Sequence, residues 1–284
     1  MVLYYILCAT SNCHANDWWE GNYARIMYPK ADLTSQRISD FLIDIGEEGA
    51  LRRFFKAYLP TLSGSKDSFN ILIDSTGIPN SFHFPLTAIS NHNGKIGNEV
   101  RLIYVTQQET GLPIFFRYCT GNVVDVSSLI RTVNELEAHG VSTKLAVLDA
   151  PYYSDSDIQE LYDSGISFVT RLKENKRIFK DLIVQRVPNI ECNQNFVGYN
   201  GRYVYIKRAK CELIEGYKAY AYIGIDIEIR SNEYKRFFSQ AKNKEYSDEI
   251  VYEHLKGLGK FIIVSSYRMP YNEISPMCHT RQQI

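Results

Sequence analysis

The stretch NILIDSTGIPN, residues 70–80, decides the fold, because it is an apolar run that ends on a carboxylate. Ile71, Leu72 and Ile73 are typical of a strand that is buried on both faces of a sheet. Asp74 follows directly, and the Ser-Thr-Gly-Ile-Pro sequence after it predicts a turn. A carboxylate fixed at the end of a buried strand is well placed to bind a metal ion.

A second apolar run ends in the same way, since LAVLDAPYYS, residues 145–154, places Asp149 after a predicted strand. Open α/β sheets bind their ligands at the carboxyl ends of their strands, so Asp74 and Asp149 converge if their strands are neighbours. Two carboxylates without a cation between them repel each other. Mg²⁺ suits such oxygen ligands, and a pair of such ions acts on phosphodiesters. The alternative is that both aspartates only cap their strands.

The pattern around these runs predicts an α/β fold with a mixed sheet. Three β-type runs between residues 69 and 119 are followed by helix, strand, helix and strand up to Lys173, and the short QQETG segment predicts a hairpin between the second and third runs. We expect an aromatic and helical N-terminal section over residues 1–62 and the sheet domain over residues 63–284. A separate β-rich insertion is expected at about residues 190–230.

Composition limits the classes of function. The chain has 32 basic and 32 acidic residues, so any contact with nucleic acid must come from local patches. Its six cysteines are scattered, which favours reduced thiols and a cytoplasmic protein. The apolar opening MVLYYILCA is too short for a membrane span and lacks the basic residues that precede a signal peptide.

Four segments together resemble the insertion-sequence transposases of the DDE class, whose catalytic domain has a ribonuclease-H-like fold. The resemblance runs from about Tyr23 to Ile284, and the long middle segment is more specific than any single aspartate. The four segments are LIDSTGIPNS, AISNHNGKIGNEVRLIYVTQQETGLPIFFRYCTGNVVD, LAVLDAPYYS and GISFVTRLKEN.

The resemblance implies a ribonuclease-H-like mixed β-sheet flanked by helices, with a β-rich insertion before the last catalytic helix. It also implies that Asp74 and Asp149 are the first two of three catalytic, metal-binding carboxylates, which hold two Mg²⁺ or Mn²⁺ ions. The expected partners are DNA, both the terminal repeats and the target, and a second copy of the chain in a homodimer. The expected activity is phosphodiester hydrolysis followed by strand transfer.

The third carboxylate of the family is a glutamate in a helical motif of Tyr, two residues, Arg, three residues, Glu. With Arg281 as the arginine, Cys278 stands at the tyrosine position and the glutamate falls at position 285, one residue beyond the sequence. We therefore expect that the sequence is a fragment. Glu273 is the one nearby substitute, but it lies eight residues before Arg281, more than two helical turns away. Pro151 also departs from the family, which usually has glycine there.

Two basic clusters, RLKENKRIFK and GRYVYIKRAK, could neutralise DNA phosphates, although a charge cluster is usually a solvated face. Arg281 would contact phosphate or steady the third carboxylate. The residues predicted to bind DNA are Arg281, Lys173, Lys176, Arg177, Lys207 and Arg208.

Two other functions remain open. The chain could be a catalytically inactive transposase remnant that binds DNA or a full-length partner. It could also be an unrelated phosphatase with Asp74 as its nucleophile, but such enzymes carry a second aspartate two residues on, and this chain has Thr76 there.

Overall fold

The structure is a computed structural model that describes residues 1–8, 10–63, 68–81, 84–92, 95–122, 129–149, 152–199, 201–241 and 248–280. The chain divides into two compact units, Met1–Gly64 and Ser65–Ile284. None of the helices in the described ranges is long and apolar enough to cross a membrane.

The first unit is helical. Tyr4, Ala15, Leu33 and Ile38 form its small core, and the Tyr4 hydroxyl donates to the main-chain oxygen of Ser11 at 2.6 Å. Its two longest helices meet near Gly46. The helices of this unit are α1 (Val2–Leu7), α2 (Ala15–Glu20), α3 (Ala24–Met27), α4 (Ser35–Gly46) and α5 (Glu48–Ser63).

The second unit is built on one mixed sheet that has ten strands within the described residues. The strands are β1 (Ser68–Pro79), β2 (Ala88–His92), β3 (Lys95–Gln107), β4 (Pro113–Thr120), β5 (Ser142–Leu148), β6 (Ser167–Arg171), β7 (Phe196–Tyr199), β8 (Arg202–Ile214), β9 (Tyr217–Asp226) and β10 (Lys260–Ser265). The helices are α6 (Leu129–Ala138), α7 (Asp155–Asp163), α8 (Arg177–Arg186), α9 (Ile227–Ala241), α10 (Asp248–Gly257) and α11 (Tyr271–Thr280).

The centre of the sheet has ribonuclease-H-like topology. β1, β3 and β4 form an antiparallel meander, and β5 and β6 then follow helices and run parallel to β1. The resulting order is β4-β3-β1-β5-β6. Because this order places β1 in the middle with both faces covered, Ile71, Leu72 and Ile73 are at most 2% exposed. The predicted fold class and the predicted hairpin are confirmed.

One local prediction at β1 is wrong, and one strand beside β3 is missing from the sequence-based expectation. The segment after Asp74 is not a turn, because Ser75–Pro79 continues β1 and pairs with Ile103–Glu99 of β3. β2 was not predicted; it pairs with the first half of β3, while β4 pairs with the second half on the same side. His92 ends β2, and residues 93–94 lie outside the described residues.

The predicted β-rich insertion is not a separate hairpin. β8 and β9 pair with each other, and β9 pairs with β10, so the central sheet continues through β10, β9, β8 and β7. Every residue of Ala221–Asp226 is buried, as expected for an interior strand with both faces of the sheet covered. The helices α9 and α10 follow β9, and residues 242–247 between them lie outside the described residues.

The helix α7, which follows Asp149 in the chain, begins with a reciprocal cap. Ser154 Oγ accepts a hydrogen bond from the Asp157 main-chain N–H at 3.0 Å and donates to Asp157 Oδ2 at 2.7 Å. Burial raises the pKa of Asp157. A carboxyl with a raised folded-state pKa contributes stability at low pH that is lost as the pH rises through that value.

We expect Ser154→Ala to lower the free energy of unfolding by about 1 kcal/mol, because the cap is lost. Ser154→Thr, which keeps a hydroxyl, should retain most of the stability. Urea denaturation of the two variants measures the difference, which should be larger at pH 8 than at pH 4, because Ser154 favours the ionised form of Asp157. Equal destabilisation of both variants at both pH values would contradict the assigned cap.

Candidate metal centre

Asp74 and Asp149 stand side by side on neighbouring parallel strands. Ile73 of β1 and Leu148 of β5 are register partners, and Asp74 and Asp149 are the residues that follow them in the sequence. Adjacent strands lie about 4.8 Å apart, so the two residues meet at the carboxyl edge of the sheet. Both are half-buried. The predicted convergence of the two strand ends is therefore present in the fold.

The two aspartates also belong to one face of the sheet. Leu72 and Val147 lie two residues before them and belong to a core cluster that includes Ile274 of α11. Side chains two residues apart on a strand share a face, so Asp74 and Asp149 follow Leu72 and Val147 on the face that α11 covers. Oxygen ligands at this spacing suit a hard divalent cation such as Mg²⁺ or Mn²⁺.

Main-chain hydrogen bonds hold both aspartates. The Ser75 N–H donates to Asp74 Oδ1 at 2.8 Å, which orients the carboxylate. The main-chain oxygen of Asp149 accepts from the Tyr152 N–H at 3.0 Å and from Thr170 Oγ1 at 3.4 Å. Tyr152 is buried, so the segment after Asp149 is anchored in the core. Pro151, which stands where the family usually has glycine, lies outside the described residues.

Arg171 is a site residue that the sequence did not single out. Leu148 pairs with Thr170, so Arg171 is the neighbour of Asp149 on β6. Val169, two residues earlier, belongs to the core cluster under α11, which places Arg171 on the face of the two aspartates. Arg171 as a residue is half-buried. In the sequence Arg171 is only one of several cations, and the parallel register of β5 and β6 is what distinguishes it.

A buried ion pair lies beside the other aspartate. Arg101 Nη2 is 3.2 Å from Glu99 Oε1, and the two side chains are only 12% and 10% exposed. Arg101 Nη1 also donates to Ser75 Oγ at 3.4 Å, next to Asp74. A Cβ on Gly77 would lie 2.2 Å from the Glu99 carboxylate, so only glycine leaves room for the pair. Gly77 itself was the available sequence signal, because a glycine next to an apolar strand often marks the close approach of another group.

The family model for the transposase DDE domain matches residues 70–256, about two thirds of the chain. The chain belongs to the DDE transposase family. The match contains both aspartates, Arg171 and the Glu99–Arg101 pair, and it ends before β10 and α11. The resemblance to DDE-class transposases that the sequence showed is confirmed.

One solved structure similar to this DDE transposase chain is a piggyBac transposase in a synaptic complex with hairpin DNA, determined by cryo-electron microscopy. The TM-score is 0.39 at 13% sequence identity, over 76% of this chain and 41% of that chain. The chain therefore spans less than half the length of that transposase. No curated protein matches the sequence.

The third carboxylate of the family is not placed by the structure. Among the described residues, no three His, Cys, Asp or Glu side chains lie close enough to hold a metal ion. Glu273, the substitute considered from the sequence, is exposed in the first turn of α11. Arg281 lies outside the described residues, and the expected glutamate lies beyond the sequence.

The residues predicted to bind DNA form two separate groups. Lys173, Lys176 and Arg177 follow β6, whereas Lys207 and Arg208 lie on β8, with β10 and β9 between the two groups. The structure does not bring the groups together.

Most of these cations already have partners on the surface, and such pairs are weak enough to exchange for phosphate. Lys176 Nζ is 2.9 Å from Asp155 Oδ1, and Arg177 Nε is 3.7 Å from Asp181 Oδ2. Lys207 Nζ donates to the main-chain oxygen of Asn189 at 3.1 Å.

We expect Gly77→Ala to destabilise the sheet domain by about 1–3 kcal/mol, because the added Cβ overlaps the buried Glu99 carboxylate. Gly97→Ala on the neighbouring strand β3 is the matched control, since a Cβ there meets nothing within 4 Å. Thermal unfolding of both variants provides the measurement. Two variants of equal stability would mean that the ion pair tolerates displacement and does not fix this part of β1.

Proposed function

We propose that the chain is the catalytic region of a metal-dependent DNA transposase that hydrolyses phosphodiesters at the ends of an insertion sequence and joins the freed 3′-hydroxyl to target DNA. The observation that carries the proposal is the register of β1 and β5, which sets Asp74 beside Asp149 in a member of the DDE transposase family. The proposed partners are DNA and a second copy of the chain, in the cytoplasm.

Asp74 and Asp149 would hold the metal, proposed as two Mg²⁺ or Mn²⁺ ions. When bound, such ions activate the attacking oxygen and stabilise the leaving oxygen of a phosphodiester. The chain itself fixes the two carboxylates on strands that are buried in the core, and the Ser75 N–H sets the orientation of Asp74. Rigid placement of this kind lowers the cost of bringing a phosphate to the reacting geometry.

Arg171 would bind the substrate phosphate. Arg171 follows the register partner of Leu148 on β6, so it lies beside Asp149 at the edge where a DNA phosphate bound by the carboxylate-held metal would lie. Guanidinium groups bind phosphate oxygens through paired hydrogen bonds, and in a half-buried site such bonds are stronger than in water. This cation therefore complements the negative charge that grows during phosphodiester cleavage.

The third carboxylate is proposed to be the glutamate expected after Ile284. α11 covers the face that carries Asp74 and Asp149, and it leads into residues 281–284. The second candidate function is an inactive remnant that binds DNA or a full-length partner.

Asp74→Ala and Asp149→Ala should each abolish Mg²⁺- or Mn²⁺-dependent nicking of plasmid that carries the DNA flanking the gene, by about 10³-fold or more. DNA affinity should stay within about threefold, because the aspartates carry none of the phosphate-binding charge. Asp44→Ala, which removes an exposed carboxylate of α4, is the control. Retained nicking by either site variant would contradict the assignment.

A metal readout separates the active enzyme from the remnant. Mn²⁺ binding, followed by electron paramagnetic resonance, should weaken in both aspartate variants and stay unchanged in Asp44→Ala. Metal binding at Asp74 and Asp149 without any nicking by the gene's complete product would favour the remnant. Unchanged Mn²⁺ binding in the variants would reject the metal centre itself.

Arg171→Ala should lower nicking by roughly 10²-fold, because one donor to the charge of the transition state is lost. DNA affinity should fall much less, since a single phosphate contact is one of several. Arg171→Lys should recover part of the rate. If Arg171→Ala and Arg171→Lys each lost as much DNA affinity as nicking rate, Arg171 would contribute only general electrostatic attraction to DNA. Arg236→Ala, at an exposed position of α9, controls for the change in net charge.

A further inference from the structure

A second positively charged site lies on the extension of the sheet, away from the aspartates. A cavity of about 260 Å³ is lined by Arg208, Ala209 and Lys210 of β8, Tyr220 of β9, and Arg268 from the segment between β10 and α11. Three of its five lining residues are cations from two parts of the chain that meet only in the folded protein. No sequence pattern joins Arg268 to the cluster on β8.

The positive charge of this cavity is not balanced locally. Among the described residues, no carboxylate forms a salt bridge with Arg208, Lys210 or Arg268. Glu212, on the same strand, accepts a hydrogen bond from the Gly216 N–H in the β8–β9 turn. Three cations around one cavity repel each other, and a bound anion removes that cost.

The cavity is built on a fixed frame. Arg208 Nη1 donates to the main-chain oxygen of Met269 at 3.3 Å, and its guanidinium lies 5.6 Å from the centre of the Tyr271 ring. The buried Tyr222 hydroxyl accepts from the Met269 N–H at 2.6 Å and donates to the Met269 oxygen at 2.8 Å. These bonds fix the Arg208 side chain and the main chain of Met269, the residue that follows Arg268, before any ligand arrives.

The position of the cavity relates it to the metal centre. Thr170 pairs with Val264, Val264 with Ala221, and Ala221 with Ala209, so Arg208 lies on almost the same row of the sheet as Asp149. Four strand spacings separate β5 from β8, about 19 Å at about 4.8 Å each. That length corresponds to about six base pairs of B-DNA at about 3.4 Å each.

We propose that the cavity lined by Arg208, Lys210, Tyr220 and Arg268 binds a backbone phosphate of the DNA, several base pairs from the phosphodiester at the metal centre. The choice of DNA as the source of the phosphate rests on the proposed function. Guanidinium and ammonium groups bind phosphate oxygens, and the Tyr220 hydroxyl adds a donor of the same kind. The cavity holds the DNA in register and takes no part in the chemistry.

The test compares two double variants with equal changes of charge. Lys210→Ala with Arg268→Ala removes two exposed cavity cations that have no structural partner in the described chain, and Lys235→Ala with Arg236→Ala removes two exposed cations of α9. Fluorescence anisotropy measures binding of a duplex from the DNA flanking the gene. At about 0.1 M salt the cavity variant should bind the duplex roughly tenfold more weakly than the control variant. Its plot of log K against log salt concentration should be less steep by about 0.9.

Several outcomes overturn the proposal. Identical affinities and salt slopes in the two double variants show that the cavity cations are ordinary surface charge. Calorimetry also measures the binding of inorganic phosphate. If the cavity variant loses phosphate binding but keeps the unchanged salt dependence of DNA affinity, the cavity binds a small anion instead of DNA. Failure of the aspartate variants to lose nicking rejects the proposed catalytic function, whereas a shifted salt slope in the cavity variant would still support the phosphate site.

Discussion

The parallel pairing of β1 with β5 is the constraint on which the candidate site depends. Two carboxylates do not approach each other unaided, so burial of the strands that carry them must supply the free energy. Ile71, Leu72 and Ile73 on one strand and Leu145–Leu148 on the other are nearly inaccessible to water. A slip of one residue would turn Leu72 or Val147 to the opposite face, so hydrophobic packing fixes the aspartates in register.

The antiparallel side of β1 is fixed by a different interaction. β1 extends five residues beyond Asp74, past the end of β5, and there β3 is its only strand partner among the described residues. Gly77 lies in this extension, and the Glu99–Arg101 pair lies opposite it on β3. A buried ion pair often adds little net stability, but a displaced one is costly, so it favours a single register. We infer that this ion pair fixes the register of β1 against β3 just beyond Asp74, where the packing of β1 against β5 ends.

The sequence predicts what depends on local patterns and fails where distant strands decide the structure. The apolar runs predict β1, β5 and the aspartates that follow them, and the resemblance to DDE transposases predicts the ribonuclease-H-like fold. The turn expected after Asp74 is a strand because β3 pairs with it, and the hairpin of β8 and β9 joins the main sheet because β10 lies beside it. The site position of Arg171 depends on pairing between β5 and β6, which composition and periodicity do not encode.

The distribution of positive charge follows the same logic. Lys176 and Arg177 are near one another in sequence, but each has a carboxylate within 4 Å in the fold, as a solvated surface usually does. Arg208, Lys210 and Arg268 come from two separate elements and converge around one cavity without such a carboxylate among the described residues. In a chain with zero net charge, cations that the fold gathers are better evidence for a phosphate ligand than cations that the sequence clusters, because the fold must overcome their repulsion to place them together.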